Sequence, residues 1–276
     1  MAETFADRLQ QVTQEKESLL CVGLDIEQER LPVHLGGGTR AMVEFGRAII
    51  EATHDLAAAY KLNFAFFEAH GSEGWHALEQ LRAAIPSDCL AIGDAKRGDI
   101  GNTARLYAKA IFELLDFDAA TANPLFGYDA VEPFLASPRH GVFFLCLTSN
   151  PGAKDFQYFS DGQVRLFEYT ATVVNRWNRL GNCGLVVGAT HSNELAAVRR
   201  LAPTLPFLIP GIGAQGGDLE AAVANGTDDR GGLALFNSSR GIIFKSSGRD
   251  FAEAARAEAQ SLRDAINAAR ARKRSR

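Results

Sequence analysis

Eight short apolar runs alternate with eight helical patterns along this chain of 276 residues, and that alternation restricts its fold more than any other feature. The runs span residues 19–26, 58–67, 89–96, 118–125, 141–149, 183–189, 206–211 and 233–239. Amphipathic stretches follow them at 39–56, 72–84, 102–115, 129–136, 164–180, 192–201, 218–225 and 250–270. A strand that is apolar on both faces must be covered on both, and a helix returning between successive strands makes the sheet parallel. Eight such units close on themselves, so the predicted fold is α/β, a single (β/α)8 TIM barrel, an architecture that takes about 250 residues. Ser72, Asn102, Ser192 and Asp218 stand where helix N-caps are expected. Residues 1–18 carry a lead-in helix, from Thr4 to Ser18. No Pro/Gly/Ser-rich linker divides the chain, so one domain is expected over 1–276, with a basic tail at 269–276 read as the frayed, solvated end of the last helix.

Charge and cysteine usage narrow the function classes. Lys and Arg number 29 against 33 Asp and Glu, so no basic field exists for nucleic acid or an anionic membrane, and an anionic small molecule must be held by local groups. The first residues lack the basic and apolar sections of a secretion signal, and no apolar run approaches membrane-spanning length, so a cytoplasmic location is expected. Cys21, Cys89, Cys146 and Cys183 lie far apart, each inside an apolar run, as small buried hydrophobes do. That placement argues against disulfides, a zinc site or a thiol nucleophile. The histidines show no metal-ligand spacing either, so no metal site is expected.

Barrel enzymes carry their active sites at the C-terminal ends of the strands. In this chain those ends hold Asp25, then Lys61 and Asn63, then Asp94, Lys96 and Asp99, then Asn123, then Thr148 and Ser149, and finally the segments 211–217 and 237–241. The third cluster, Asp94-Ala-Lys-Arg-Gly-Asp99, lies where a strand gives way to a helix. Side chains alternate along a strand, so Asp94 and Lys96 project the same way. An ammonium between carboxylates is favoured in its charged form, which suits a proton donor better than a nucleophile. Taken alone, the cluster reads first as strand-end charges that merely pair with one another. The stretch Gly211-Ile-Gly-Ala-Gln-Gly216 formally matches G-x-G-x-x-G, but a dinucleotide site wants an acidic residue ending the next strand, where this chain has Asn237-Ser-Ser. In a barrel the loops after strands seven and eight cradle phosphate through backbone N–H groups, and Arg240 would add a planar, bidentate donor. The connection from Asn150 to Gln163 is a candidate lid, and Gly36–Gly38 an ordinary flexible loop.

Taken together, Asp94-x-Lys96-x-x-Asp99-Ile100, Lys61-x-Asn63, Thr121-x-Asn-Pro-Leu-x-Gly-x-Asp129, Pro210-Gly-Ile-Gly-Ala-Gln-Gly-Gly217 and Ser239-Arg240-Gly241 resemble the orotidine 5'-phosphate decarboxylase family, in particular its longer bacterial form called type 2. The resemblance implies a carboxy-lyase of pyrimidine biosynthesis that converts orotidine 5'-phosphate (OMP) to UMP and CO2 without a cofactor, as a homodimer with shared active sites. It implies that Lys96 protonates C6 of the pyrimidine and that Asp94 lies against the substrate carboxylate. Asp99 would come from the neighbouring subunit to complete an array with Lys61, Asp94 and Lys96, with Thr103 near the ribose. Asp25 and Lys61 would contact the ribose hydroxyls, Ser149 the pyrimidine edge, and Gln215 with Arg240 the phosphate. Asn63, Asn123, Gly213, Gly216 and Gly241 are further substrate-binding candidates. Two other readings stay open. One is a magnesium-dependent keto-sugar-phosphate decarboxylase or aldolase of the same superfamily, which carries a carboxylate where this chain has Lys61. The other is a phosphate-ligand-binding barrel without turnover.

Overall fold

The computed structural model describes residues 3–190, 192–212 and 218–275. Eight parallel strands close into a barrel in chain order: β1 (Leu20–Gly23), β2 (Ala59–Asn63), β3 (Leu90–Arg97), β4 (Ala119–Ala122), β5 (Gly141–Leu147), β6 (Cys183–Val187), β7 (Phe207–Pro210) and β8 (Ala234–Ser238). Closure comes from β1 pairing with β8, where Cys21 faces Asn237 across the seam. Helices return between the strands at Gly38–Thr53, Gly71–Ala84, Gly101–Lys109, Tyr128–Leu135, Leu166–Trp177, Ser192–Leu201 and Leu219–Gly226, and Phe251–Arg274 packs back after β8. The expected (β/α)8 barrel is the observed fold.

Period two along the strands sorts the interior into layers. Low in the barrel, Cys21, Ala59, Ile92, Ala119, Phe143 and Leu235 pack together with the helix Phe5–Glu15, through Phe5, Leu9 and Val12. A capping box starts that helix: Thr4 Oγ1 accepts from Asp7 N at 3.2 Å, and the Asp7 carboxylate accepts from Thr4 N at 3.1 Å. Phe5 meets Phe143 edge-on, with ring centroids 5.7 Å apart. Gly141 leaves room for this contact, since a Cβ there would fall 2.4 Å from the Phe5 ring. The lead-in helix therefore plugs the N-terminal end of the barrel. Two residues further along the same inward faces stand Lys61, Asp94, Thr121, Leu145 and Asn237, so the polar layer comes at the opposite, C-terminal mouth.

Several elements end sooner than the sequence predicts. The second strand stops at Asn63 rather than continuing to 67, because Asn63 Oδ1 accepts from Ala65 N and the chain coils into a helical turn at Ala65–Glu68. The fourth stops at Ala122 rather than 125, where Pro124, lacking an N–H, opens a 3₁₀ turn. The basic tail is not frayed: the last helix runs to Arg274, and Arg270, Lys273 and Arg274 donate to the carbonyls of Gly231, Thr227 and Arg230. Cys21, Cys89, Cys146 and Cys183 are all free and buried. Among the described residues no helix is long and apolar enough to cross a membrane.

Candidate active site

The cavity at the C-terminal mouth encloses about 250 Å³ and is lined by Asp25, Lys61, Asn63, Asp94, Lys96, Ser149 and Arg240 among the residues singled out from sequence. At its centre two lysines bracket one carboxylate. Lys61 Nζ lies 2.9 Å from Asp94 Oδ2 and 3.4 Å from Asp25 Oδ1, and Lys96 Nζ lies 2.6 Å from Asp94 Oδ1. Burial alone would push the Asp94 carboxyl up, but the Lys61 and Lys96 ammoniums outweigh it and hold it well below the usual carboxylate range. Burial likewise opposes the charge on Lys61, and the Asp94 and Asp25 carboxylates overcome it, so this ammonium is held above the ordinary lysine range. The two lysines differ in access: the Lys61 side chain is 5% exposed and that of Lys96 47%.

The backbone that presents Lys96 is irregular. Its φ is +48°, inside a register shift that interrupts β3–β4 pairing between Gly93 and Arg97. Its N–H donates instead to Thr121 Oγ1 at 2.9 Å, and that hydroxyl donates to Asp94 Oδ1 at 2.9 Å. Sequence alternation correctly puts Asp94 and Lys96 on one side, although a bulge rather than a regular strand achieves it. Beyond Lys96 the chain is pinned by Arg97, which pairs with Glu68 and lies over the Tyr107 ring.

Facing this array, Leu145, Val186, Leu208 and Ile212 form an apolar wall. The β1 and β8 ends are tied together by Ser239, whose Oγ donates to Gly23 O at 2.9 Å and accepts from Asp25 N at 3.3 Å. The next residue, Arg240, lines the cavity and starts a helical turn, Arg240–Ile243, that includes Gly241. Below, Cys21 Sγ donates to Asn237 Oδ1 at 3.4 Å; burial pushes this thiol up to about 12, so it is inert. After β5, Gln157 folds back so that its Oε1 accepts from Thr148 N at 2.7 Å, which fastens the 150–163 connection to the strand end beside Ser149.

Four sequence candidates stand apart from the cavity lining. Asp99 accepts a hydrogen bond from Ile100 N at 2.8 Å, and Thr103 is exposed on the helix Gly101–Lys109. Asn123 does not point its amide at the cavity: its Oδ1 accepts from Leu125 N at 3.0 Å and caps the turn Pro124–Phe126. Gly241 lies within the Arg240–Ile243 turn, one residue beyond the lining. Gly213, Gln215 and Gly216 lie outside the described residues. Thr121 and the apolar wall were not among the candidates. The signal for Thr121 was its place on the inward face of β4, two residues after Ala119.

A barrel with an ion-paired lysine–carboxylate array buried at its C-terminal mouth, and an arginine on the loop after β8, has the layout of an enzyme for a small anionic substrate. The chain belongs to the orotidine 5'-phosphate decarboxylase / HUMPS family, whose model matches residues 18–257. It is 49% identical over 267 residues to an orotidine 5'-phosphate decarboxylase of Dehalococcoides mccartyi, covering 95% of this chain and 97% of that one. An enzyme of the same name from Azoarcus is 48% identical over 273 residues, with coverage of 96% and 99%. Among solved structures, OMP decarboxylase of Leishmania donovani superposes with a TM-score of 0.87 at 42% identity over 97% of this chain and 99% of that chain. UMP synthase of the same organism gives 0.89 at 44% identity; the match covers 98% of this chain but 57% of that one.

Proposed function

We propose that this chain decarboxylates OMP to UMP and CO2, with Lys96 delivering the proton that replaces the carboxylate at C6. The observation that carries this is the Lys61–Asp94–Lys96 array: an ammonium held against a carboxylate at the centre of a cavity walled on the far side by apolar groups. In the reaction the C6–carboxylate bond breaks and its electron pair stays on C6, in the ring plane, where the ring carbonyls cannot take it up. The site must therefore offer positive charge where that pair develops and a proton to quench it. Lys96 offers both, and a charge already in place needs no reorganisation as the reaction proceeds. The neutral amine left behind regains its proton from solvent, which reaches its half-exposed side chain.

The remaining roles are those the family resemblance implies. Asp94 lies against the substrate carboxylate, Asp25 and Lys61 take the ribose hydroxyls, Ser149 faces the pyrimidine edge, and Arg240 holds the phosphate, joined in the family pattern by Gln215, which lies outside the described residues. The Lys61 Nζ lies between Asp25 and Asp94, where its charge would repel a divalent cation, which disfavours the magnesium-dependent reading. The site is completed by a second copy of the chain, whose Asp99 and Thr103 enter the cavity. Supporting this, Asp99 stands outside its own cavity, and beside it Phe126 packs on Gly98 while remaining 55% exposed, with Ile100, Leu106 and Leu125 also open. Apolar side chains left open together suit an isologous interface.

Turnover is tested by following OMP absorbance in excess EDTA. The expected result is full activity in the chelator. A strict requirement for added Mg²⁺, or no turnover under any condition, would count against the proposal.

A further inference from the structure

Thr121 is a residue for which the proposed chemistry leaves no role, yet it touches both halves of the catalytic pair. Its side chain is buried on the inward face of β4. A threonine hydroxyl has one proton to give. Here that proton goes to Asp94 Oδ1 at 2.9 Å, the same oxygen that holds Lys96 Nζ at 2.6 Å. The hydroxyl oxygen in turn accepts the Lys96 backbone N–H at 2.9 Å. That N–H needs a partner, because the β3–β4 ladder is broken between Gly93 and Arg97 and Lys96 sits at φ +48°, a left-handed conformation that a lysine adopts only when its surroundings hold it there.

We propose that Thr121 is a positioning residue for the proton transfer, holding the Lys96 backbone in its left-handed turn and Asp94 in the rotamer that receives Lys96 Nζ. The hydroxyl does what a ladder carbonyl would do for the Lys96 N–H, and at the same time what a ladder carbonyl cannot do, which is to donate to Asp94. When Lys96 gives its proton to C6, Asp94 Oδ1 loses a cationic donor; the Thr121 hydroxyl stays on that oxygen, so the carboxylate does not swing after the departing charge. Valine has nearly the shape of threonine without the hydroxyl, so it removes both hydrogen bonds and little else.

The inference rests on Lys96 being the proton donor, and the experiment separates the two. Thr121→Val, Thr121→Ser and Lys96→Ala are compared with wild type for kcat and KM on OMP. The expected result is a kcat for Thr121→Val lower by about tenfold or more, with KM changed by less than about threefold, since the hydroxyl acts on the reacting pair rather than on the phosphate or ribose. Thr121→Ser, which keeps the hydroxyl, should return kcat to within about threefold of wild type. If the valine protein does not fold, Thr121→Ala carries the same expectation. Wild-type kcat in a hydroxyl-free variant, a change confined to KM, or a folded serine variant as slow as valine would overturn the proposal. If Lys96→Ala itself retains full activity, the assignment of the proton donor falls first.

Discussion

Lys61 and Lys96 are the same side chain put to different uses by their surroundings. Lys61 is buried between Asp25 and Asp94 and acts as a fixed charge; Lys96 meets one carboxylate and opens half of its side chain to solvent, where a proton can be lost and regained. Lys96→Ala should therefore lower kcat by at least about 10²–10⁴-fold, the range of a lost general acid, while leaving the melting temperature near that of wild type. Lys61→Ala leaves the buried Asp94 with Lys96 alone and removes the cation beside the half-buried Asp25, and should cost about 3–5 kcal/mol in urea unfolding, with activity lost as well. The sign of the acid dependence follows from Asp94. Its carboxyl titrates lower in the folded chain than its ordinary 3.8, so its contribution to stability is present above that value and is lost as pH falls through the lower folded one. In Asp94→Asn, unfolding free energy measured below about pH 4 should fall less steeply with acid than in wild type. The charged residues of the site were legible because formal charges inside an apolar barrel pattern need a reason. Thr121 stood at the head of a motif, but its role was not legible, because a threonine at a strand end is an ordinary β former and only its partners across the β3–β4 bulge give it meaning.

At the scale of elements, the seam between β1 and β8 couples the two ends of the proposed substrate site. Gly23 lies so close to Ser239 that a Cβ would fall 2.7 Å from the serine Cβ, and Ser239 precedes Arg240 while holding Asp25 N. Gly23→Ala should destabilise the chain by about 1–3 kcal/mol, the cost of overpacking, and raise KM for OMP by displacing Arg240 and Asp25 together. Titration of stability in urea alongside steady-state kinetics checks both effects. The identity and order of the strands were legible from apolar runs, since each must be covered on two faces. Their ends were not: Phe64–Phe67 is as apolar as a strand, yet Asn63 and the hydrogen bond to Ala65 N turn it into a helical turn. The helical course of the tail was equally hidden, because its cations are satisfied by carbonyls of 227–231, a loop some forty residues upstream in sequence.

For the whole molecule, the barrel closes its N-terminal end with the lead-in helix and gathers its charge at the other, so a single mouth faces the substrate. A site completed by the second subunit predicts that Asp99→Ala and Lys96→Ala proteins, each strongly impaired, regain activity when mixed and allowed to exchange, because about one quarter of the sites then combine native Lys96 with native Asp99. No recovery despite exchange seen by native mass spectrometry would mean that each chain works alone. The barrel was legible from periodicity alone, whereas the proposed pairing of subunits came only from the family resemblance, because exposed Ile100, Leu125 and Phe126 read in sequence like any apolar loop. The central claim, proton delivery from Lys96 to the C6 carbanion, is tested most directly by running the reaction in D2O and reading the product by proton NMR. The expected result is UMP carrying deuterium at C6 in wild type and, from Lys96→Ala, the same product formed at least about 10²-fold more slowly; C6-deuterated UMP formed at the wild-type rate by Lys96→Ala would contradict it.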